Sequence, residues 1–443
     1  MKQFALINAR IVTHEEIFEG AVIVKNGKIF KVMRGKSARV PAKMKVLDVQ
    51  GNFLLPGAID VHVHFRTPGM TQKEDWTTGS KAALAGGVTT VLDMPNNQPP
   101  IVDAKSLAQK RKLVAAKSLV NFGLYAGATP DNILTITKLK GTVGVKVFMG
   151  SSTGSLLLDS REKLEKLFER AAKDKKLLAI HAESEQCILE NSALNSGDDP
   201  AIHSKSRPPE CAYEAVKEVL HLAKKYGTRV HLCHVSTEKE LEVISKFKNP
   251  NVSAEVTPHH LFLTDQDYEQ YGNLVKVNPP LRAPADQVAM WSALKSGLID
   301  MVATDHAPHL LSEKKLPYEK APSGVPGVQT MLPLLLNAVS EGKLTLPQVV
   351  TLTSYHPARM FGMLKKGFIR AGFDADFTLV DMGLCEKVCH DYLWSKCGWS
   401  PFHGWILQGW PVMTFVAGEL MYEWRESFGK KKGREVKNLL QKV

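Results

Sequence analysis

The sequence predicts an α/β protein: a parallel (β/α)8, TIM-like barrel with a small β-sandwich domain formed by both chain ends. Three observations predict it. Eight short apolar runs alternate with helical periodicity between residues 56 and 365. Strand-like patterns without such helices fill residues 1–55 and return over residues 366–443. The chain is also large and mixed enough to bury this much structure, with 443 residues, 44% of them hydrophobic and 23% charged.

Taken in order, Phe4–Val12 is a short apolar run, and Ala21–Phe30 carries Asn26-Gly27 between two apolar stretches, a hairpin signal. The barrel strands are then expected at Ile59–His64, Val88–Met94, Val120–Tyr125, Val143–Met149, Leu177–His181, Arg229–His234, Val252–Val256 and Ile299–Thr304. Helical spacing is clear in Arg161–Ala172 and Glu210–Tyr226. Beyond Lys365, Phe377–Val380 and Val412–Tyr422, with a turn at Gly418, restore the strand pattern.

Several classes are excluded. No apolar run approaches the ~20 residues that cross a bilayer; Met331–Val339 is interrupted by Pro333 and Asn337. The amino end has no sustained apolar stretch of the secretory kind, so a cytoplasmic location is expected. There the six cysteines should be free thiols. Cys385, Cys389 and Cys397 lack the paired spacing of a structural zinc site. The net charge of +12 comes from 57 basic and 45 acidic residues mixed along the chain. Only Lys430–Arg434 is a basic run and reads as a solvated, frayed end, so no nucleic-acid partner is expected.

The chemistry gathers where the strands stop, the face on which barrels of this kind carry their sites. The first strand closes with Asp60-Val-His62-Val-His64; residues two apart share a face, so both imidazoles can reach one ion. Lys146 sits inside the apolar fourth strand. His181 ends the fifth, His231 and His234 lie on the sixth, and Asp305 follows the eighth. Singly each is an ordinary polar group. Together, imidazoles and carboxylate with room for a water suit a hydrolytic zinc site.

This order of motifs resembles the amidohydrolase superfamily over nearly the whole chain. Within it, Asp60–Gly69, Gly86–Asn96, His234-Val-Ser-Thr237, Asn278–Arg282 and Ala303–His309 are similar to the dihydroorotases of the longer bacterial type. The resemblance implies that His62 and His64 bind one metal, that His181 and His234 bind a second, and that Asp305 completes the site as the catalytic group. Lys146, carboxylated by CO2, would bridge two zinc ions; its carbamate is a bidentate carboxylate, whereas a free amine is a poor bridge. His231, three residues before His234 on the same strand, would point away. Arg66, Asn96 and His309 match the positions that hold the substrate carboxylate, and Asn278 the one that contacts the ring. A guanidinium suits that anion through forked charge-assisted bonds.

Two departures stand out. Thr67 replaces a glutamate common in relatives. Some relatives use an aspartate in the loop after strand four instead of the lysine, but Gly150–Ser155 holds no carboxylate, so without the carbamate only one metal would fit. The implied reaction is the reversible cyclisation of N-carbamoyl-L-aspartate to L-dihydroorotate and water, in pyrimidine biosynthesis. The alternatives are a hydantoinase or allantoinase, or a non-catalytic partner of aspartate carbamoyltransferase. A homodimer and association with that carbamoyltransferase are further expectations. The long Lys- and Pro-rich segment Leu310–Gly327 is expected to lie over the substrate, with backbone near Ser323 and Gly324 in contact.

Overall fold

A computed structural model of the protein describes residues 3–35, 40–41, 43–152 and 156–436. The amino-terminal strands are β1 (Gln3–Val12), β2 (Ile17–Lys25), β3 (Lys28–Arg34), β4 (Lys45–Asp48) and β5 (Phe53–Pro56). Asn26 and Gly27 both take positive φ, 53° and 76°, which is why Asn-Gly closes the β2–β3 hairpin.

The barrel follows in β6 (Ala58–Val63), β7 (Val88–Asp93), β8 (Asn121–Leu124), β9 (Ala126–Gly127), β10 (Val145–Phe148), β11 (Leu178–His181), β12 (Val230–Leu232), β13 (Val252–Val256) and β14 (Met301–Val302). All eight expected runs are strands. β8 and β9 are halves of the third, interrupted at Tyr125, whose buried hydroxyl donates to the Val61 carbonyl. Parallel pairing runs β6-β7-β8 and β9 through β14, and a bridge from Val63 to His306 joins first to eighth. These strands are buried throughout, as parallel sheets covered by helices must be. The helix Pro209–Tyr226 shows how the sequence builds that cover. It opens on proline, buries Ala212, Val216, Val219 and Leu220 on one face, and stops at Gly227 in the left-handed region.

The last strands are β15 (Phe377–Lys387), β16 (Ile406–Val416), β17 (Glu419–Glu423) and β18 (Ser427–Phe428). β15 pairs antiparallel with β5, from Phe377 opposite Pro56 to Val380 opposite Phe53, and so unites both chain ends in one nine-stranded sheet. Phe4, Leu6, Val22, Leu54, Phe377 and Phe415 form its separate apolar core.

Two expectations fail. Cys187 and Cys211 form a disulfide, with Cα atoms 5.3 Å apart, and only Cys233, Cys385, Cys389 and Cys397 are free. Compartment reasoning looks at composition, whereas the pairing arises because the helix Glu185–Leu194 lies beside Pro209–Tyr226. The basic run is not a frayed end either. Gly433 donates to the Ser118 carbonyl, Phe122 to Arg434 and Val436 back to Phe122, so the tail lies along β8. Lys431 reaches Glu419, which neutralises part of the run against the protein's own surface, and Arg111 reaches Glu435 just beyond it.

Candidate functional site

Strand ends deliver the predicted side chains to one cavity, which His62, His64, Lys146, His181, His234 and Asp305 all line. Asp60 sets the register beneath it. Its carboxylate accepts from the Thr304 amide at 3.0 Å and the Thr304 hydroxyl at 2.5 Å, tying β6 to the segment that turns into Asp305. Burial raises the Asp60 carboxyl to about 7, although the Thr304 bonds pull the other way. Arg66, His234 and Asp305 hold φ of 55°, 38° and 44°, uncommon for residues with a Cβ. Such conformations cost free energy and persist only where surroundings over-determine them.

The Nε2 atoms of His62 and His64 face one oxygen of Asp305 at 3.1 and 2.8 Å. Their other nitrogens are held from behind, His62 Nδ1 by Glu255 at 2.5 Å and His64 Nδ1 by Asn96 at 2.7 Å. Burial alone would lower the His62 imidazole, but Asp305 and Glu255 outweigh it and hold it at about 10. His64 is lowered to about 4, chiefly by burial, with Asp305 opposing. Burial opposes ionisation of Asp305, yet His62 and His64 overcome it and keep that carboxyl well below the usual range. Opposite, His181 Nδ1 and His234 Nε2 lie 3.0 Å apart, and burial depresses both rings.

This donor set fits a divalent metal. Ring nitrogens of His62 and His64 and an oxygen of Asp305 lie within 4.8 Å of one another. The buried His234 Nδ1 has no hydrogen-bond partner among the described residues. Imidazole and carboxylate donors suit zinc. His62, Cys233 and Glu255 make another close group, but both Glu255 oxygens already accept hydrogen bonds. Lys146 is fully buried, donates to Cys233 Sγ at 3.0 Å and has no carboxylate partner among the described residues.

The other wall is built for an anion. Arg66 is buried, donates from Nε to the Pro308 carbonyl at 3.1 Å, and pairs with no carboxylate among the described residues. Burial lowers its guanidinium to about 10, with Asp305 and Asp93 opposing. His309 Nε2 lies 3.1 Å from both the Arg66 Nη2 and the Ser323 carbonyl, while Lys73 donates to its Nδ1 at 3.0 Å. With Nδ1 accepting, Nε2 carries the proton and donates to Ser323, so Arg66 Nη2 cannot donate to the ring. His309 does not itself line the cavity, whereas Arg66, Asn96 and Asn278 do. Asn278 Oδ1 accepts from His203 at 2.8 Å.

Ser323 and Gly324 also line it, as expected of Leu310–Gly327. Two buried ammonium groups hold that segment in place. Lys314 Nζ donates to the carbonyls of Lys276, Pro322 and Gly324 at 2.9–3.0 Å, and Lys276 Nζ to Tyr318 and Ala321 at 2.7 and 2.8 Å. Sequence reasoning assigned neither lysine a role. It also passed over Glu255, although a carboxylate inside the otherwise apolar run Val252–Val256 was the available signal. His231 faces away from the cavity as expected, but toward Glu255. Within the loop Gly150–Ser155, residues 153–155 lie outside the described residues. Among the described residues Cys385, Cys389 and Cys397 join no metal-binding group.

The sequence model of the Amidohydrolase family matches residues 53–421. A dihydroorotase from Methanosarcina acetivorans is 43% identical over 98% of this chain and 95% of its own. One from Pyrococcus abyssi is 38% identical over 95% of each. Among solved structures, L-hydantoinase from Arthrobacter aurescens superposes with a TM-score of 0.94 at 30% identity, covering 99% of this chain and 100% of that one.

Proposed function

The chain belongs to the amidohydrolase family, and from that premise we propose that it is a dihydroorotase, interconverting N-carbamoyl-L-aspartate with L-dihydroorotate and water. The observation that carries the substrate assignment is Arg66, a buried guanidinium without a carboxylate partner among the described residues, set in the same cavity as Asp305 and the histidines. Dihydroorotate is a cyclic amide bearing a carboxylate, so one molecule satisfies both walls. The dihydroorotase relatives support the same reading.

In this reading His62 and His64 would hold one zinc ion, His181 and His234 a second, and Asp305 would complete the set. Lys146, carboxylated by CO2 with loss of a proton, would supply a carbamate ligand. When bound, the metal supplies Lewis-acid polarisation of the amide carbonyl and lowers the pKa of water. Arg66 with Asn96 orients the substrate carboxylate, His309 beside Arg66 holds the Ser323 carbonyl in place, and Asn278 and the Ser323–Gly324 backbone meet the ring. In the hydrolytic direction Asp305, ionised at rest, accepts a proton from the attacking water. It then passes that proton to the departing ring nitrogen as the amide bond breaks. Cyclisation runs the same steps backward: the ureido nitrogen attacks the side-chain carboxyl and water leaves.

The structural likeness to L-hydantoinase favours a second reading, a cyclic amidase acting on hydantoins. Those rings lack the carboxylate that Arg66 would bind. Turnover of L-dihydroorotate, hydantoin and allantoin by the same metal-analysed sample separates the two. We expect dihydroorotate turnover that chelation abolishes and zinc restores, with two equivalents of metal; hydantoin turnover without dihydroorotate turnover sinks the assignment. A homodimer and docking to aspartate carbamoyltransferase complete the proposal, and sedimentation of the chain alone and mixed with that enzyme tests both. Among the described residues, no helix is long and apolar enough to cross a membrane.

A further inference from the structure

A line of hydrogen bonds runs away from the cavity through the barrel interior. His62 Nδ1 lies 2.5 Å from Glu255 Oε1, Glu255 Oε2 lies 2.8 Å from His231 Nε2, and His231 Nδ1 lies 2.9 Å from Ser253 Oγ. Glu255 Oε1 accepts a further bond from the His234 backbone amide at 3.1 Å. His231 and Ser253 are register partners across β12 and β13, and the edge of Phe361 closes on the His231 ring at 5.3 Å between centroids. Every member of the line is buried. A desolvated carboxylate is expensive unless its oxygens are filled, and here three donors fill them.

That arrangement constrains the site from two sides. With Nδ1 committed to Glu255, the His62 ring must present Nε2 to the cavity, where it meets Asp305. The same carboxylate fixes the backbone of His234, which stands at an unfavourable positive φ of 38°. Glu255 therefore touches one histidine from each of the two pairs. We infer that Glu255 is a positioning residue: it chooses the nitrogen His62 offers to a divalent cation, holds His234 in register, and thereby strengthens cation binding. The inference rests on the proposed metal site. His231, itself steadied by Ser253, holds the carboxylate from behind.

Glu255→Gln is the informative change. A glutamine has one acceptor oxygen, so its amide nitrogen must face a donor on one side of the line. The metal-depleted full-length chain is titrated with zinc against a chromophoric chelator, and its thermal midpoint is recorded before zinc is added. We expect E255Q to weaken zinc binding by roughly 10–100-fold, the range found when partners behind metal-bound histidines are removed, with the metal-free midpoint unchanged. His231→Gln, which leaves Glu255 in place but loosens its outer support, should weaken zinc by a few-fold and decides the matter if E255Q does not fold. Parent-like zinc affinity in both variants overturns the inference while leaving the metal site intact. Loss of affinity accompanied by an equal loss of metal-free stability also overturns it, since the role is then structural. A parent chain that binds no zinc removes the proposed site, and this inference with it.

Discussion

The cavity has two walls, and they are made by different means. One is a set of side chains at the ends of barrel strands, each fixed by its place in the sheet: His62, His64, Lys146, His181, His234 and Asp305. The other includes loop backbone, at Ser323 and Gly324, held by ammonium groups reaching up from beneath. The first wall carries reactive atoms and the second carries shape. The comparison teaches that a loop can match a strand in precision when buried donors satisfy its carbonyls, since each satisfied carbonyl removes a way for the loop to move.

The division of labour can be broken most severely at the strand wall. Asp305→Asn should cut kcat by roughly 10³-fold or more while the far-ultraviolet circular dichroism stays that of the parent. A variant retaining a tenth of the activity would mean the reactive group lies elsewhere. Next comes the loop wall. Lys314→Met leaves three buried carbonyls without their donor, and unfolding in denaturant should show a loss of about 2–4 kcal/mol, with KM rising more than kcat falls. An unchanged KM would show that the wall's shape does not depend on that ammonium.

Arg66→Ala sharpens the contrast at the seam between the walls. Removing charge-assisted bonds worth about 1.5–3 kcal/mol should raise KM for dihydroorotate by roughly 10–150-fold, with a smaller change in kcat; steady-state kinetics at saturating zinc measure it. The smallest effect belongs outside the barrel, in the composite sheet region, where Lys28 and Lys366 both pair with Asp374. Burial there raises the carboxyl, but Lys366 and Lys28 more than offset it, so its pKa is lowered on folding. A lowered carboxylate pKa contributes stability above the unfolded value of about 3.9 and loses it as pH falls further. Asp374→Asn should therefore narrow its gap from the parent below about pH 4, a trend that thermal melts across pH 3–7 would register.

How far the sequence could be read follows the same two walls. The strand wall was legible because spacing carries it: two histidines at i and i+2 share a face, and an apolar run interrupted by Lys146 reports an inward cation. Both depend on a period that the chain displays directly. The loop wall was only partly legible. Backbone carbonyls leave no trace in side-chain identity, and Lys276 and Lys314 look like solvated charges because burial is decided by what packs over them. Glu255 stood between these cases, visible as a carboxylate in an apolar run but without a neighbour in sequence to name its partner. Cys187 and Cys211, 24 residues apart, gave no spacing signal for a contact that two helices create.

That disulfide has a consequence for how the protein is handled. It fastens the helix beginning beside Ser184 to the one that follows Arg207, and Arg207 grips Glu183 at 2.6 Å, two residues from His181. Reductant added during purification to protect the buried Cys233 would cut a tie closing a 24-residue span, worth about 3 kcal/mol in chain entropy. A preparation kept free of thiols should titrate four cysteines in denaturant, and one treated with reductant six. The reduced sample should melt first, and two laboratories using different buffers would then be comparing two covalent forms of one polypeptide.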